Sequence, residues 1–243
     1  MMETILSILA ALAPAIIILI VILRRDKSQP EPLKWILTAV GFGVLSGLSV
    51  TLVWAPFLPT VNVDSFMTAA VDAFVCAAVP EEVMKFIFLW LIVKWNRYFD
   101  ELFDGIVYAV CIGMGFAGLE NLLYVVGEDE WFSIGIARAL LSVPAHYFFA
   151  VLMGYFMSLA IVANQADRKR YMLLALTLPI LAHGLYDTLC FSMTIDEDFA
   201  SAVLLIFLVG FNWLRKHVKK LLTAHLQADQ IATANAQIDC NHE

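Results

Sequence analysis

Apolar residues along this chain fall in blocks of about 20 or more, the length a helix needs to cross a hydrocarbon layer. Short polar connections separate the blocks. The pattern predicts helical spans at roughly 4–23, 35–57, 66–94, 102–126, 132–162, 171–193 and 199–213. Only Glu3 precedes the first block and no small-residue cleavage site follows it, so it reads as a retained helix and not as a removed signal. The expected fold is all-α: a polytopic bundle of about seven transmembrane helices in one membrane domain over residues 1–214, with a short tail over 215–243.

Composition agrees. The chain is 61% apolar and 15% charged, where a soluble domain carries roughly one quarter charged residues, and its mean hydropathy is +0.81.

Charge sets the orientation. Arg24, Arg25, Lys27 and Lys34 follow the first block; Lys94 and Arg97 follow the third; Arg168, Lys169 and Arg170 follow the fifth; Arg215, Lys216, Lys219 and Lys220 follow the seventh. Alternating spans put all four clusters on one side, which the positive-inside rule makes the cytoplasm. The N-terminus is then outside and the C-terminal tail cytoplasmic. The opposite loops hold Asp64, Glu128 to Glu130 and Asp196 to Asp198, which account for much of the net charge of −7. The lipid bilayer is a required partner, and nothing here points to nucleic acid.

Two patterns are set aside. Cys76, Cys111 and Cys190 lie in separate spans and Cys240 in the tail, with no CxxC pair, so packing is the expected role. A Cys–His nucleophile built from Cys111 or Cys190 is the minor alternative. Gly113, Gly115 and Gly118 match GxGxxG, but inside an apolar block with no strand before it. Small residues there, and at Gly43 and Gly47, are expected to let another helix approach closely.

The chemistry lies in the ionisable residues within the spans. A charge at mid-bilayer costs at least about 2.5–3.5 kcal/mol, so such groups face a bundle interior or a water cavity. The third span holds Pro80, Glu81, Glu82 and Lys85; the fourth Phe116, Glu120 and Asn121; the fifth His146; the sixth His183 and Asp187. Counted from the cytoplasmic ends at about 1.5 Å per residue, Glu81, Glu82 and His183 lie roughly 16–18 Å deep, and Asp187, Glu120 and His146 roughly 22–26 Å deep. One shared polar site is therefore expected. Glu81 and Glu82 each share a helix face with Lys85, as His183 does with Asp187. Pro80 and Pro144 stand just before polar residues, where a freed carbonyl and a kink can widen a cavity.

Glu81-Glu82-Val83-Met84-Lys85 fits EExxK, Phe116 to Asn121 fits FxxxEN and His183 to Asp187 fits HxxxD, with His146 between them. In this order, each in its own span, the motifs resemble those of the PrsW family of membrane proteases, which groups with the type II CAAX prenyl endopeptidases and bacteriocin-immunity-type membrane proteins. The resemblance covers the third to sixth spans. It implies an intramembrane endopeptidase of a bacterial cytoplasmic membrane acting on a membrane-anchored protein. The best-known role in that family is a first, extracytoplasmic-side cut in an anti-sigma factor that starts a stress-signalling cascade.

Amide hydrolysis needs an activated water, oxyanion stabilisation and a proton for the leaving amine. Glu81 or Glu82 is the expected base. The order of the related motif favours Glu81, whereas pairing with Lys85 at i,i+4 argues for Glu82 being the free one. His146 and His183 would orient water and stabilise or protonate the intermediate, Asp187 would orient His183, and Asn121 is a plausible oxyanion donor. A zinc alternative uses His146, His183 and Glu120 or Glu82 as ligands, although no HExxH demands it. Each motif alone also has a structural reading, and Asp72, Asp104 and Arg138, nearer span ends, are expected to be structural charges. Two other classes stay open: a proton-coupled transporter, weakened by the lack of a repeated half, and a non-catalytic scaffold binding single-span partners.

Overall fold

In the computed structural model the described residues are 2–26, 29–193, 195, 210, 213, 216–231 and 234. The elements are α1 (Met2–Leu23), α2 (Leu33–Ser49), α3 (Phe66–Val71), α4 (Val79–Trp95), α5 (Leu102–Val125), α6 (Trp131–Ala137), α7 (Val143–Val162) and α8 (Gln165–Ser192). A final helical stretch over 216–231 is α9. Single π-helical turns at Asp72–Ala78 and Arg138–Ser142 join α3 to α4 and α6 to α7, and a third, Val50–Trp54, prolongs α2. The first six expected spans each correspond to one continuous helical run. The seventh, 199–213, lies outside the described residues apart from Gly210 and Trp213.

Among the described residues, five runs are long and apolar enough to cross a membrane: Met2–Leu23, Leu33–Phe57, Leu102–Val125, Trp131–Val162 and Gln165–Ser192. The run over 66–95 is also continuous helix, but it carries Asp72, Glu81, Glu82, Lys85 and Lys94. The helix that fails a purely apolar test is thus the one with most of the chemistry.

α5 is the spine of the bundle, with every residue from Phe103 to Gly118 buried. Helices in lipid gain little from apolar burial and associate by close van der Waals packing, which favours small residues at crossings. A Cβ on Gly43 of α2 would stand 2.8 Å from the Phe116 backbone nitrogen, and one on Gly154 of α7 2.7 Å from Ile106 Cα. Backbones touch at both crossings. Gly113 and Gly115 serve the same purpose, Gly115 facing the Val40 carbonyl of α2, whereas Gly118 has only ordinary contact with Leu12. The glycine pattern therefore packs helices, as its surroundings implied. Outward faces stay apolar, as with Ile5, Leu9, Ile16 and Ile20 on α1.

Three basic segments meet at one end. Gln29 donates to Glu101 at 2.6 Å, and Asp229 of α9 accepts from the backbone nitrogens of Leu102 at 2.8 Å and Phe103 at 2.9 Å. Tyr155, near the end of α7, packs against His225 with ring centroids 4.3 Å apart. Val218 and Leu222 of α9 enter the same core as α5, so residues beyond 214 pack against the membrane bundle.

Candidate active site

Two Val-Pro steps position the site. Proline lacks the N–H that would close a helical turn, and in both α4 and α7 a π turn runs directly into Val-Pro at the helix start. Glu82 stands two residues after Pro80 and His146 two residues after Pro144. The same local irregularity thus places a catalytic-type side chain on each of two helices.

The side chains form one connected network. Lys85 Nζ lies 3.2 Å from Glu81 Oε2, 2.8 Å from Glu82 Oε1 and 3.4 Å from His146 Nδ1. Glu82 Oε1 also meets His183 Nδ1 at 2.8 Å, while His183 Nε2 faces Asp187 Oδ2 at 3.1 Å and Glu81 Oε2 at 3.9 Å. On the other side His146 Nε2 meets Glu120 Oε2 at 2.8 Å, and Arg138 binds the same oxygen at 2.7 Å. With Lys85 donating to Nδ1, a neutral His146 carries its proton on Nε2 and donates it to Glu120. All eight expected site residues, Glu81, Glu82, Lys85, Glu120, Asn121, His146, His183 and Asp187, are joined by these contacts, Asn121 through Arg138.

Aromatic rings seal the centre. Phe149 stacks on His183 at 4.8 Å between centroids, and Phe116 lies 3.7 Å beneath the Lys85 ammonium. The two histidine rings meet edge to face at 5.2 Å. Gly184 is required because a Cβ there would run into the Phe74 ring. The first residue of FxxxEN thus acts through a cation–π contact, worth about 2 kcal/mol when desolvated.

One expectation needs correction. Arg138 is no span-end charge: it binds Glu120, donates from Nε to Asn121 Oδ1 at 2.6 Å and to Ser142 at 3.1 Å, and lies over the Tyr124 ring. Its distance from any motif in the sequence concealed this; the only signal was a basic residue inside an apolar block. Asn121 Nδ2 donates one of its two hydrogens to the Ala11 carbonyl of α1 at 2.9 Å. That contact makes Asn121 a strut between α1, α5 and Arg138.

The donors suit a divalent metal. Glu81, Glu82, His146 and His183 each offer a ligand atom within 4.8 Å of the others', and Glu82 Oε2 is buried without a hydrogen-bond partner. Two nitrogens with carboxylate oxygens is a hydrolytic zinc donor set. Glu120 lies outside this group, held between Arg138 and His146, where it fixes the ring as carboxylates behind ligating histidines do.

A carboxylate–histidine centre buried among the helices of a polytopic bundle is the arrangement of an intramembrane protease. The family model described as PrsW family intramembrane metalloprotease matches residues 31–214, and the chain belongs to that family. It is 35% identical to Protease PrsW of Geobacillus kaustophilus over 180 residues, covering 74% of this chain and 77% of the relative. To Protease PrsW of Bacillus subtilis it is 31% identical over 179 residues, covering 73% and 79%, and to that of Clostridioides difficile 29% identical over 204 residues, covering 83% and 84%. No solved structure matches it. The chain is a multi-pass membrane protease of a bacterial cell membrane.

Proposed function

We propose that Glu81 is the general base of this protease and that Glu82, His146 and His183 form the ligand set of a catalytic zinc ion. The observation that carries the first assignment is access: Glu82 is 0% exposed with one oxygen shared by Lys85 and His183, whereas Glu81 is 8% exposed. Of the two, Glu81 is the more accessible.

Glu81 Oε2 takes a proton from the attacking water as its oxygen bonds to the scissile carbonyl carbon, and returns that proton to the amide nitrogen when the C–N bond breaks. Lys85 holds both glutamates in register and places positive charge beside the developing oxyanion. Asp187 fixes His183 through Nε2, and Glu120 with Arg138 fixes His146. A zinc ion bound by these residues would lower the pKa of water and polarise the carbonyl.

The substrate we propose is a membrane-anchored protein, with an anti-sigma factor as the instance suggested by the motif resemblance. An apolar cavity of about 580 Å³ between α7 and α8 supports this reading. It is lined by Phe149, Leu152, Leu181, Leu185 and Tyr186, and Phe149 is the ring stacked on His183. An apolar substrate segment seated there would lie one ring's thickness from the centre.

Membrane proteomes of cells expressing the chain or its Glu81→Gln variant test the assignment together. Fragments of an anchored protein that appear only with the parent chain are the expected result. Equal fragment patterns from both chains, at equal expression, would overturn it.

A further inference from the structure

A second acidic cluster lies at the other end of α5. Asp26 in the loop after α1, and Glu101 and Asp104 at the start of α5, each offer a carboxylate oxygen within 4.8 Å of the others'. Asp26 is 1% and Asp104 0% exposed. Among the described residues none of the three forms an ion pair.

Acidic clusters are common, and what sets this one apart is a buried carboxylate oxygen on Asp26 with nothing to bind. Asp104 Oδ2 accepts from the backbone nitrogens of Asp100 and Glu101, and Asp26 Oδ2 from that of Glu31. The second oxygen of Asp26, Oδ1, is buried without a partner, whereas the Asp104 carboxyl is also hydrogen-bonded to that of Glu31. Buried polar atoms are nearly always satisfied, so the orphan oxygen of Asp26, facing two further carboxylates, points to a missing ligand. More negative charge stands behind them. Glu31 lies beside Asp104 and accepts from the Tyr108 hydroxyl, and Asp229 of α9 caps the start of α5.

We propose that Asp26, Glu101 and Asp104 bind a hard divalent cation, Ca²⁺ or Mg²⁺, which ties the first loop to the start of α5. The donors are all oxygen, which suits these ions and disfavours zinc or copper. Ca²⁺ binds oxygens at about 2.3–2.6 Å, so two ligands across the ion lie about 4.6–5.2 Å apart, a spread these side chains accommodate. Water supplies the remaining coordination. The site is independent of the hydrolytic centre: it shares no residue with it and contains no histidine.

The test uses full-length protein in detergent, stripped with a chelator and dialysed, then titrated with CaCl₂ or MgCl₂ alone while Tm and bound cation are followed, the latter by equilibrium dialysis and elemental analysis. One of the two ions is expected to bind saturably at one per chain and to raise Tm. Asp26→Asn and Glu101→Gln, checked for parent-like circular dichroism, should each weaken that binding at least tenfold. Asp104 is left intact because its side chain also caps α5. Absence of binding by both ions overturns the proposal, as does binding that survives both substitutions. If Asp26→Asn raises Tm in chelator while the parent takes up no cation, the carboxylates share protons only, and the proposal also fails.

Discussion

The two ends of α5 handle buried acids in opposite ways. Near its C-terminal end Glu120 is bound by Arg138 and His146, and Glu81 and Glu82 close on Lys85 from their own helix. At its N-terminal end, about 24 Å away by helical rise, Asp26, Glu101 and Asp104 have no cation among the described residues. The candidate active site lies within the spans, where a charge is costly, and there Lys85, Arg138 and His146 stand against the carboxylates. The other end meets the loops, where the described residues offer no cation and the proposed ion would come from solution. Internal cations fix a charge state permanently, whereas an external one makes it conditional.

The largest expected effect removes the base. Glu81→Gln should lower the cleavage rate about 10²–10⁴-fold with unchanged insertion. Glu82→Gln should instead lower zinc content, read by elemental analysis of purified protein. A zinc-loaded, active Glu81→Gln chain would exchange the two roles.

Next is the built-in cation. Lys85→Met leaves two buried carboxylates facing each other, as at the far end, and should cost about 3–5 kcal/mol of stability. Adding Glu82→Gln should recover part of that loss in thermal melts. If Lys85→Met melts like the parent, the charge balance described for this end is wrong.

Arg138→Lys keeps the charge but not the planar fork that reaches Glu120, Asn121 and Ser142 together. Loss of that support behind His146 should lower kcat about 10–100-fold with little change in KM. A change confined to KM would assign Arg138 to substrate binding.

The smallest effect belongs to the uncompensated end. Burial pushes Asp26 from 3.8 up to about 6, with Glu31, Glu101 and Asp229 adding to the rise. A raised carboxylate pKa means the folded chain holds the proton more tightly than the unfolded one. Stability in cation-free buffer therefore falls as pH rises from about 4 through 6. Asp26→Asn should flatten that slope, as should saturating cation above pH 6. A parent chain whose Tm is flat over this window would contradict it.

Much of this was legible in the sequence, for identifiable reasons. Six spans follow from apolar runs, and the convergence of Glu81, Glu82, Glu120, His146, His183 and Asp187 follows from polar residues at shared depth in neighbouring helices. The glycines at 43, 113 and 115 were legible as packing positions because lipid-buried helices have few other uses for them. Arg138 was misread because it belongs to no motif and acts only through the fold. The anchoring of Asn121 to the Ala11 carbonyl left no trace in the sequence because the two residues lie 110 positions apart. The acidic end was invisible, since Asp26, Glu101 and Asp104 resemble ordinary loop and cap residues until the bundle encloses them.

The contact between α9 and the start of α5 bears on the order of assembly during synthesis. The first backbone N–H groups of a helix have no partners within it. At α5, Leu102 and Phe103 find theirs in Asp229, and the Leu102 carbonyl finds His225, more than a hundred residues later in the chain. Until those residues are made, the leading turn of α5 has its own Glu101–Asp104 capping box but lacks the acceptor that Asp229 gives Leu102 and Phe103. The protease is completed only when its C-terminal helix arrives, so truncation before His225 should leave a chain that inserts normally yet never locks.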